Sequence, residues 1–390
     1  MSSPSFRYLI GGVEEPVIPG SPLWESPLPM DRHHFQSGAK NPDRHNGFTH
    51  GAYFKAARCF LEGSRVSVFS AALAPESVQD ITGVHICLMK HGEFYHPARI
   101  TAVGRHHQRH LVLNVAVSEP GHRIIESEVA ALNRLGETPG PSFVPKVYGQ
   151  GSLLADGGLR VRMFLGDWFD GYYEFHISSS ESRELSVWGH GDRPFPLSRE
   201  QAFLLYHQAA KILTCYYNLA TTEHISQWHH AGGDFVVQCI DGRVDVRLIT
   251  VRHYGPLLNV DEGAQSPEHR RDRALGGLLI FLIQLSIRMR LDRLDGIGDM
   301  TWADNTAVVA TWSGFLEGLK ENFFPTAILP NPVAQFKAYL AAYSLSELHD
   351  LAQTLAAALS AGPAERAMVE KHLSSHTGAL LDTISRIGFS

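Results

Sequence analysis

Three short runs of the chain, Val84 to Met89, Ala98 to Val103 and Leu111 to Val117, read as strands, with Pro97 and the polar stretch Gly104 to His110 separating the second from the third. Short apolar runs bounded by turn residues are the signature of strands, so this segment predicts an antiparallel meander. After a turn at Pro120-Gly121 the period lengthens, and Ile125, Val129, Leu132 and Leu135 fall on one face of a helix over roughly Arg123 to Leu135. Glu128 projects from the edge of that face. Two further strands follow, Val144 to Gly149 and Arg160 to Leu165, the second running into Gly166-Asp167-Trp168-Phe169-Asp170-Gly171.

From Ser198 the pattern is helical. Ser198 with Gln201 three residues on has the form of a capping box, and Phe203, Tyr206, Ala210, Leu213 and Tyr217 mark one face through Leu219. A loop-strand-turn-strand unit occupies 223 to 252, with its turn at Asp241-Gly242. Helices are then predicted near 272–291, 305–320, 333–342, 345–360 and 363–386. Residues 1 to about 50 are rich in Pro, Gly, His and Ser and lack a period, so 1–80 reads as an arm or cap of uncertain structure. Strands first and helices after give an α+β class with a small sheet lobe over 81–165 and a helical lobe over 166–390.

Composition narrows the function. A chain of 390 residues with 44% hydrophobic residues, 19% charged residues and a net charge of −6 buries a core without metal or disulfide staples, and lacks the basic footprint of a nucleic-acid binder. No leader-like start is visible. The longest apolar run, Ala274 to Ile287, is shorter than a membrane span and is interrupted by Gln284 and Ser286, so membrane attachment is not expected. Cys59, Cys87, Cys215 and Cys239 are scattered, which fits reduced thiols in a cytoplasmic protein.

The order of these elements, together with Ser127-Glu128-Val129-Ala130-Ala131-Leu132-Asn133-Arg134-Leu135 leading to Phe143-Val144-Pro145-Lys146-Val147-Tyr148-Gly149, and Trp228-His229-His230-Ala231-Gly232-Gly233-Asp234 before two short strands, resembles the protein kinase-like superfamily. Its aminoglycoside and choline phosphotransferase branch is the nearest in flavour. The resemblance spans about 81 to 290 and implies a two-lobed fold, ATP and Mg²⁺ as cofactors, and a site between the lobes. It implies a lysine on the third strand paired with the helix glutamate, which here is Glu128, and that lysine position falls on Asn114. A relocated cation would have to come from Lys90 or from an arginine such as Arg99; the chain has only eight lysines. The catalytic base position falls on His229 and the first metal-ligand position on Asp234. The second metal ligand falls on Thr250, with Arg252 two residues on in place of a glycine. A carboxylate at Asp234 can bind Mg²⁺, but a guanidinium at Arg252 opposes a cation and can take its place against Asp234 or Glu128. The loop His91-Gly92-Glu93-Phe94-Tyr95-His96-Pro97 has one glycine and two bulky rings where a phosphate-wrapping loop needs bare backbone.

Each candidate also has a plain reading. His106 and His110 sit in what reads as an exposed hairpin tip, Asp234 can cap a turn, Glu128 can be a surface helix residue, and Asp292, Arg293 and Asp295 read as helix-end pairs. The reading carried forward is a kinase-like protein, atypical or degenerate, that binds a nucleotide or other anion with weak or absent phosphoryl transfer and serves as a pseudokinase regulator or scaffold for a protein partner. Two alternatives stay open: an active ATP/Mg²⁺ phosphotransferase using Lys90 or Arg99, Asp234 and His229, and a metalloenzyme in which His229, His230 and Asp234 converge.

Overall fold

The meander is present and is extended on both sides. The computed structural model describes residues 4–11, 13, 15–29, 47–63, 68–73, 81–92, 94–105, 107–189, 194–228, 231–258, 266–358 and 362–387. The chain forms two compact units, one of Met1–Gly136 with Pro145–Asp170 and the other of Glu137–Val144 with Gly171–Ser390. The first is built on a sheet and the second mainly on helices, an α+β arrangement with the sheet unit largely first in the chain.

In chain order the sheet unit contains β1 (Ser5–Ile10), α1 (Pro22–Glu25), α2 (His50–Gly63), α3 (Val68–Leu73), β2 (Ile81–Leu88), β3 (His96–Gly104), β4 (Gln108–Ala116), α4 (Glu119–Gly136), β5 (Val147–Leu154) and β6 (Arg160–Asp167). The strand order is β1-β2-β3-β4-β6-β5, and only the β1–β2 pair is parallel. The register sets Cys87, Arg99 and Val112 side by side, so Ala98, Ile100, Ala102, Leu111, Leu113 and Val115 share the opposite face. That face is fully buried and forms one core with Tyr8, Trp24, Tyr53, Phe54, Ala57 and Leu61. Each such side chain removed from water contributes about 1.5–3 kcal/mol, which is why an apolar face recruits a cover.

The cover is the segment expected to be irregular. β1 pairs along β2, and α2 lays Tyr53, Phe54, Ala57 and Leu61 on the sheet. The helical spacing of those residues is present in the sequence, and Thr49 Oγ1 caps the start of α2 by accepting from Ala52 N at 3.1 Å, but both follow a stretch without a period. The α4 helix starts at Glu119 rather than at Arg123. Pro120 suits a first helical turn, where a missing N–H costs nothing. Gly121 is needed there for a different reason: a Cβ would collide with the Phe94 carbonyl, so the loop before β3 and the start of α4 lie backbone against backbone.

The helical unit opens with a small sheet of β7 (Glu174–Ile177), β8 (Leu185–Trp188) and β9 (Phe195–Pro196), which the pattern does not signal. Next come α5 (Arg199–Cys215), β10 (Glu223–Ser226), α6 (Ala231–Asp234), β11 (Phe235–Ile240), β12 (Arg243–Leu248) and β13 (His253–Pro256). The remainder is α7 (Pro267–Arg288), β14 (Leu291–Arg293), β15 (Met300–Trp302), α8 (Asn305–Lys320), α9 (Pro332–Leu340), α10 (Leu345–Ala358) and α11 (Pro363–Ile387). The capping box at Ser198 and Gln201 forms in both directions. α5 and α8 pack closely because Gly314 leaves room for the His207 carbonyl, and Lys211 ties the pair by reaching Glu317 at 2.6 Å and Glu321 at 2.9 Å. No helix among the described residues is long and apolar enough to cross a membrane.

Candidate functional site

The loop between β10 and β11 carries His229, His230 and Asp234, the residues singled out in the sequence. β10 ends at Ser226, whose hydroxyl lies 2.8 Å from His253 Nδ1 on the partner strand β13. Gln227 then adopts a left-handed backbone with φ of 60°, uncommon for a residue with a Cβ and a marker of local strain held in place by its surroundings. After Trp228 come His229 and His230, which lie outside the described residues, and the single turn α6 delivers Asp234 at its end. The β11–β12 hairpin turns at Asp241 and Gly242, and the chain returns beside its own start, with Ile249 N donating to Asp234 O at 2.9 Å.

That return brings Arg252 onto Asp234. Arg252 Nη1 is 2.7 Å from Asp234 Oδ1, and the same nitrogen donates to Gln227 O at 3.2 Å. Asp234 is 1% exposed, so its carboxylate and the guanidinium form an ion pair largely out of water, where loss of either partner is costly. Arg288, at the end of α7, donates to Trp228 O and holds its guanidinium 5.8 Å from the Trp228 ring centre. Burial lowers the pKa of Arg288, with Glu365 and Asp234 acting in the opposite direction. Two arginines thus hold consecutive carbonyls of one loop.

The floor beneath α6 is a residue read as a helix-end pair. Asp292 is 3% exposed and accepts from His176 Nδ1 at 3.0 Å, Ile177 N at 2.8 Å and Arg293 N at 2.7 Å. A Cβ on Gly232 would meet His176 and the Phe175 carbonyl, so α6 rests directly on this group. Asp292 is therefore a buried organiser of the loop rather than a surface ion pair. Its hydrogen-bond partner His176 lies 116 positions earlier, and no local pattern announces such a bond.

Mg²⁺ calls for several oxygen ligands, usually with one or two carboxylates and bound waters. Here the Asp234 oxygen already faces a guanidinium, Thr250 offers a neutral and buried hydroxyl, and no group of three His, Cys, Asp or Glu among the described residues is placed to hold a metal. The residues present do not fit the ion. The expectation of Asp234 as a metal ligand is thus opposed by its own neighbour.

In the sheet unit Glu128 is fully buried, not a surface helix residue, and accepts from the Tyr95 hydroxyl at 3.0 Å. Asn114 is buried on β4 between Pro97 of β3 and Phe164 of β6. Arg99 turns to Trp168, with its guanidinium carbon 5.9 Å from the ring centre, and its Nε is buried with no acceptor among the described residues. Lys90 stands two residues past the end of β2. His110, placed at a hairpin tip by the sequence, instead lies within β4 and meets Thr101 Oγ1 at 3.0 Å; His106 lies outside the described residues. Tyr95 is the residue the sequence reading missed in this role, although it stands in the loop already marked as unsuited to wrap phosphate.

No family model matches the chain, and no curated protein matches it in sequence. Solved structures that align with it include WaaP in complex with acyl carrier protein, at 11% identity and a TM-score of 0.29 over 68% of this chain and 87% of that one. A MAP kinase from Leishmania major aligns at 10% identity and a TM-score of 0.31 over 85% of this chain and 86% of that one. Superpositions this loose carry no argument about activity, and the site stands on its own geometry.

Proposed function

We propose that this chain is an atypical kinase-like protein that binds a nucleotide or another anionic small molecule with weak or absent phosphoryl transfer, and that it acts as a cytoplasmic regulator or scaffold for a protein partner. The observation that carries the reading is the Asp234–Arg252 pair at 2.7 Å: a fixed positive charge sits against the carboxylate that a metal-dependent transferase would reserve for its cation. Thr250 in place of a second carboxylate, Asn114 in place of a cation, and Tyr95 on Glu128 point the same way. Guanidinium groups suit phosphate and carboxylate ligands, and Arg252 and Arg288 bring two of them to the loop before β11 without a metal. The test is thermal-shift titration of the purified chain with ATP, with and without Mg²⁺, since a ligand of the native state raises apparent stability. Stabilisation by ATP alone, unchanged by Mg²⁺, is the expected result. Stabilisation that requires Mg²⁺ overturns the reading in favour of a live transferase.

A further inference from the structure

Away from that loop, the helical unit holds a second cluster of cationic and aromatic side chains. Arg290 follows the end of α7, Trp302 ends β15, and His372 and His376 lie one turn apart on α11. The Arg290 guanidinium carbon is 5.0 Å from the Trp302 ring centre. His372 stacks on the same ring at 5.3 Å, and His376 meets it edge-on at 5.8 Å. Arg290 is 5% exposed and His376 1%.

Three polar atoms in this cluster, Arg290 Nη1, Trp302 Nε1 and His376 Nδ1, are buried and have no hydrogen-bond partner among the described residues. Arg290 Nε is satisfied by Ala303 O at 2.8 Å, but no ion pair joins Arg290 to a carboxylate among the described residues, and Asp304 acts on it only from farther off. Burial pulls the Arg290 pKa down to about 10. Burial first, and the Arg290 charge second, push His376 down to about 3. A desolvated cation beside unsatisfied N–H groups is an arrangement that proteins complete with a counter-charge.

The tautomer of His376 can follow. Ser286 Oγ has one proton and two acceptors near it, Ile283 O at 3.0 Å and His376 Nε2 at 3.1 Å. When that proton turns to Nε2, neutral His376 carries its own proton on Nδ1 and becomes a third donor beside Arg290 and Trp302. A water molecule would satisfy these hydrogen bonds but add no counter-charge to Arg290, which among the described residues has only the more distant Asp304 as a carboxylate neighbour.

We infer that the N–H groups of Arg290, Trp302 and His376 form a binding site for one small inorganic anion of about the size of chloride. The ion ties α11 to the ends of α7 and β15, and so fastens the last helix of the chain to the unit.

The test uses the full chain. Crystals grown with bromide in place of chloride should show an anomalous peak within hydrogen-bond distance of Arg290 Nη1 and Trp302 Nε1. In parallel, the melting temperature is followed as chloride replaces gluconate at fixed ionic strength, for the wild type, Arg290→Met and Trp302→Phe, the last of which keeps a ring and removes the N–H. The wild type should gain stability with chloride, and both variants should lose at least half of that gain. Water-like density without anomalous signal overturns the inference even if Arg290→Met fails to fold, because that observation is made on the wild type. Equal chloride responses in the wild type and Trp302→Phe overturn it as well. A phosphate series at the same ionic strength, if it stabilises as strongly as chloride, overturns the size assignment.

Discussion

Two carboxylates singled out in the sequence, Glu128 and Asp234, are both buried, and they are held in opposite ways. Glu128 in the sheet unit, fully buried, meets the neutral hydroxyl of Tyr95, whereas Asp234 in the helical unit, 1% exposed, meets the charged guanidinium of Arg252. The difference is one of chemistry and of local construction. Tyr95 comes from a loop pinned against α4 by the Phe94 carbonyl at Gly121, so its contact depends on that loop staying closed. Arg252 comes from the chain returning along its own hairpin, with Ile249 bonded to Asp234, so its contact depends on a short covalent path and on charge. A carboxylate joined to a fixed cation is already neutralised, which is why the helical unit's pair speaks against a metal ion.

Acid should act strongly on the loop that carries Tyr95. The Tyr95 loop carries His91, and His96 begins the strand that follows; their Nδ1 atoms are 3.3 Å apart, so one must donate and the other accept. Burial pushes His91 down to about 4 and His96 down to about 3, from an ordinary value of 6.5. Between those values the unfolded chain binds more protons than the folded one. Stability is therefore complete above pH 6.5 and falls as pH drops toward 4 and 3, by up to about 1.4 kcal/mol per pH unit for each group. Urea unfolding at pH 7 and pH 4.5 checks this: a His91→Asn, His96→Asn variant should lose less stability between the two than the wild type. An unchanged difference would mean that the sheet unit's loop does not contribute to the acid sensitivity.

The next effect is on the helical side. Asp234→Ala leaves Arg252 largely buried without its carboxylate and should destabilise the protein by about 3–5 kcal/mol. Guanidinium denaturation measures it, and adding Arg252→Met to Asp234→Ala should recover part of the loss. On the sheet side Tyr95→Phe removes one hydrogen bond from a buried carboxylate and should cost less, about 1–3 kcal/mol. If the two single variants cost the same, the distinction between a charged and a neutral holder has no energetic content.

Much of the helical unit is legible in the chain because its causes are local. Ser198 and Gln201 cap a helix within one turn, and apolar residues at helical spacing lie near where α7 through α11 form. The strands of the meander are legible for the same reason. What escapes is what rests on distant partners. The pairing of β1 with β2 joins residues such as Tyr8 and Ile86, and the bond from His176 to Asp292 crosses 116 positions. Asn114, Glu128, Asp234, Thr250 and Arg252 can be picked out by their order along the chain, but Tyr95 as the partner of Glu128 becomes visible only when the loop folds onto α4.

The smallest expected effect is the sharpest test of the difference between the two carboxylates. Mg²⁺ can stabilise a folded chain only where it finds oxygen ligands free to take it, and Asp234 Oδ1 is held 2.7 Å from Arg252 Nη1. Adding Mg²⁺ to the protein, or removing divalent cations with EDTA, should leave the melting temperature unchanged. In Arg252→Gln the cation's competitor is gone while a neutral side chain keeps the space filled, and Asp234 becomes the one carboxylate that gains an affinity for the ion. A Mg²⁺-dependent rise in melting temperature should then appear in the variant and not in the wild type. If instead the wild type responds to Mg²⁺ and Arg252→Gln does not, the guanidinium helps to build a metal site, and Asp234 and Glu128 have to be reinterpreted together.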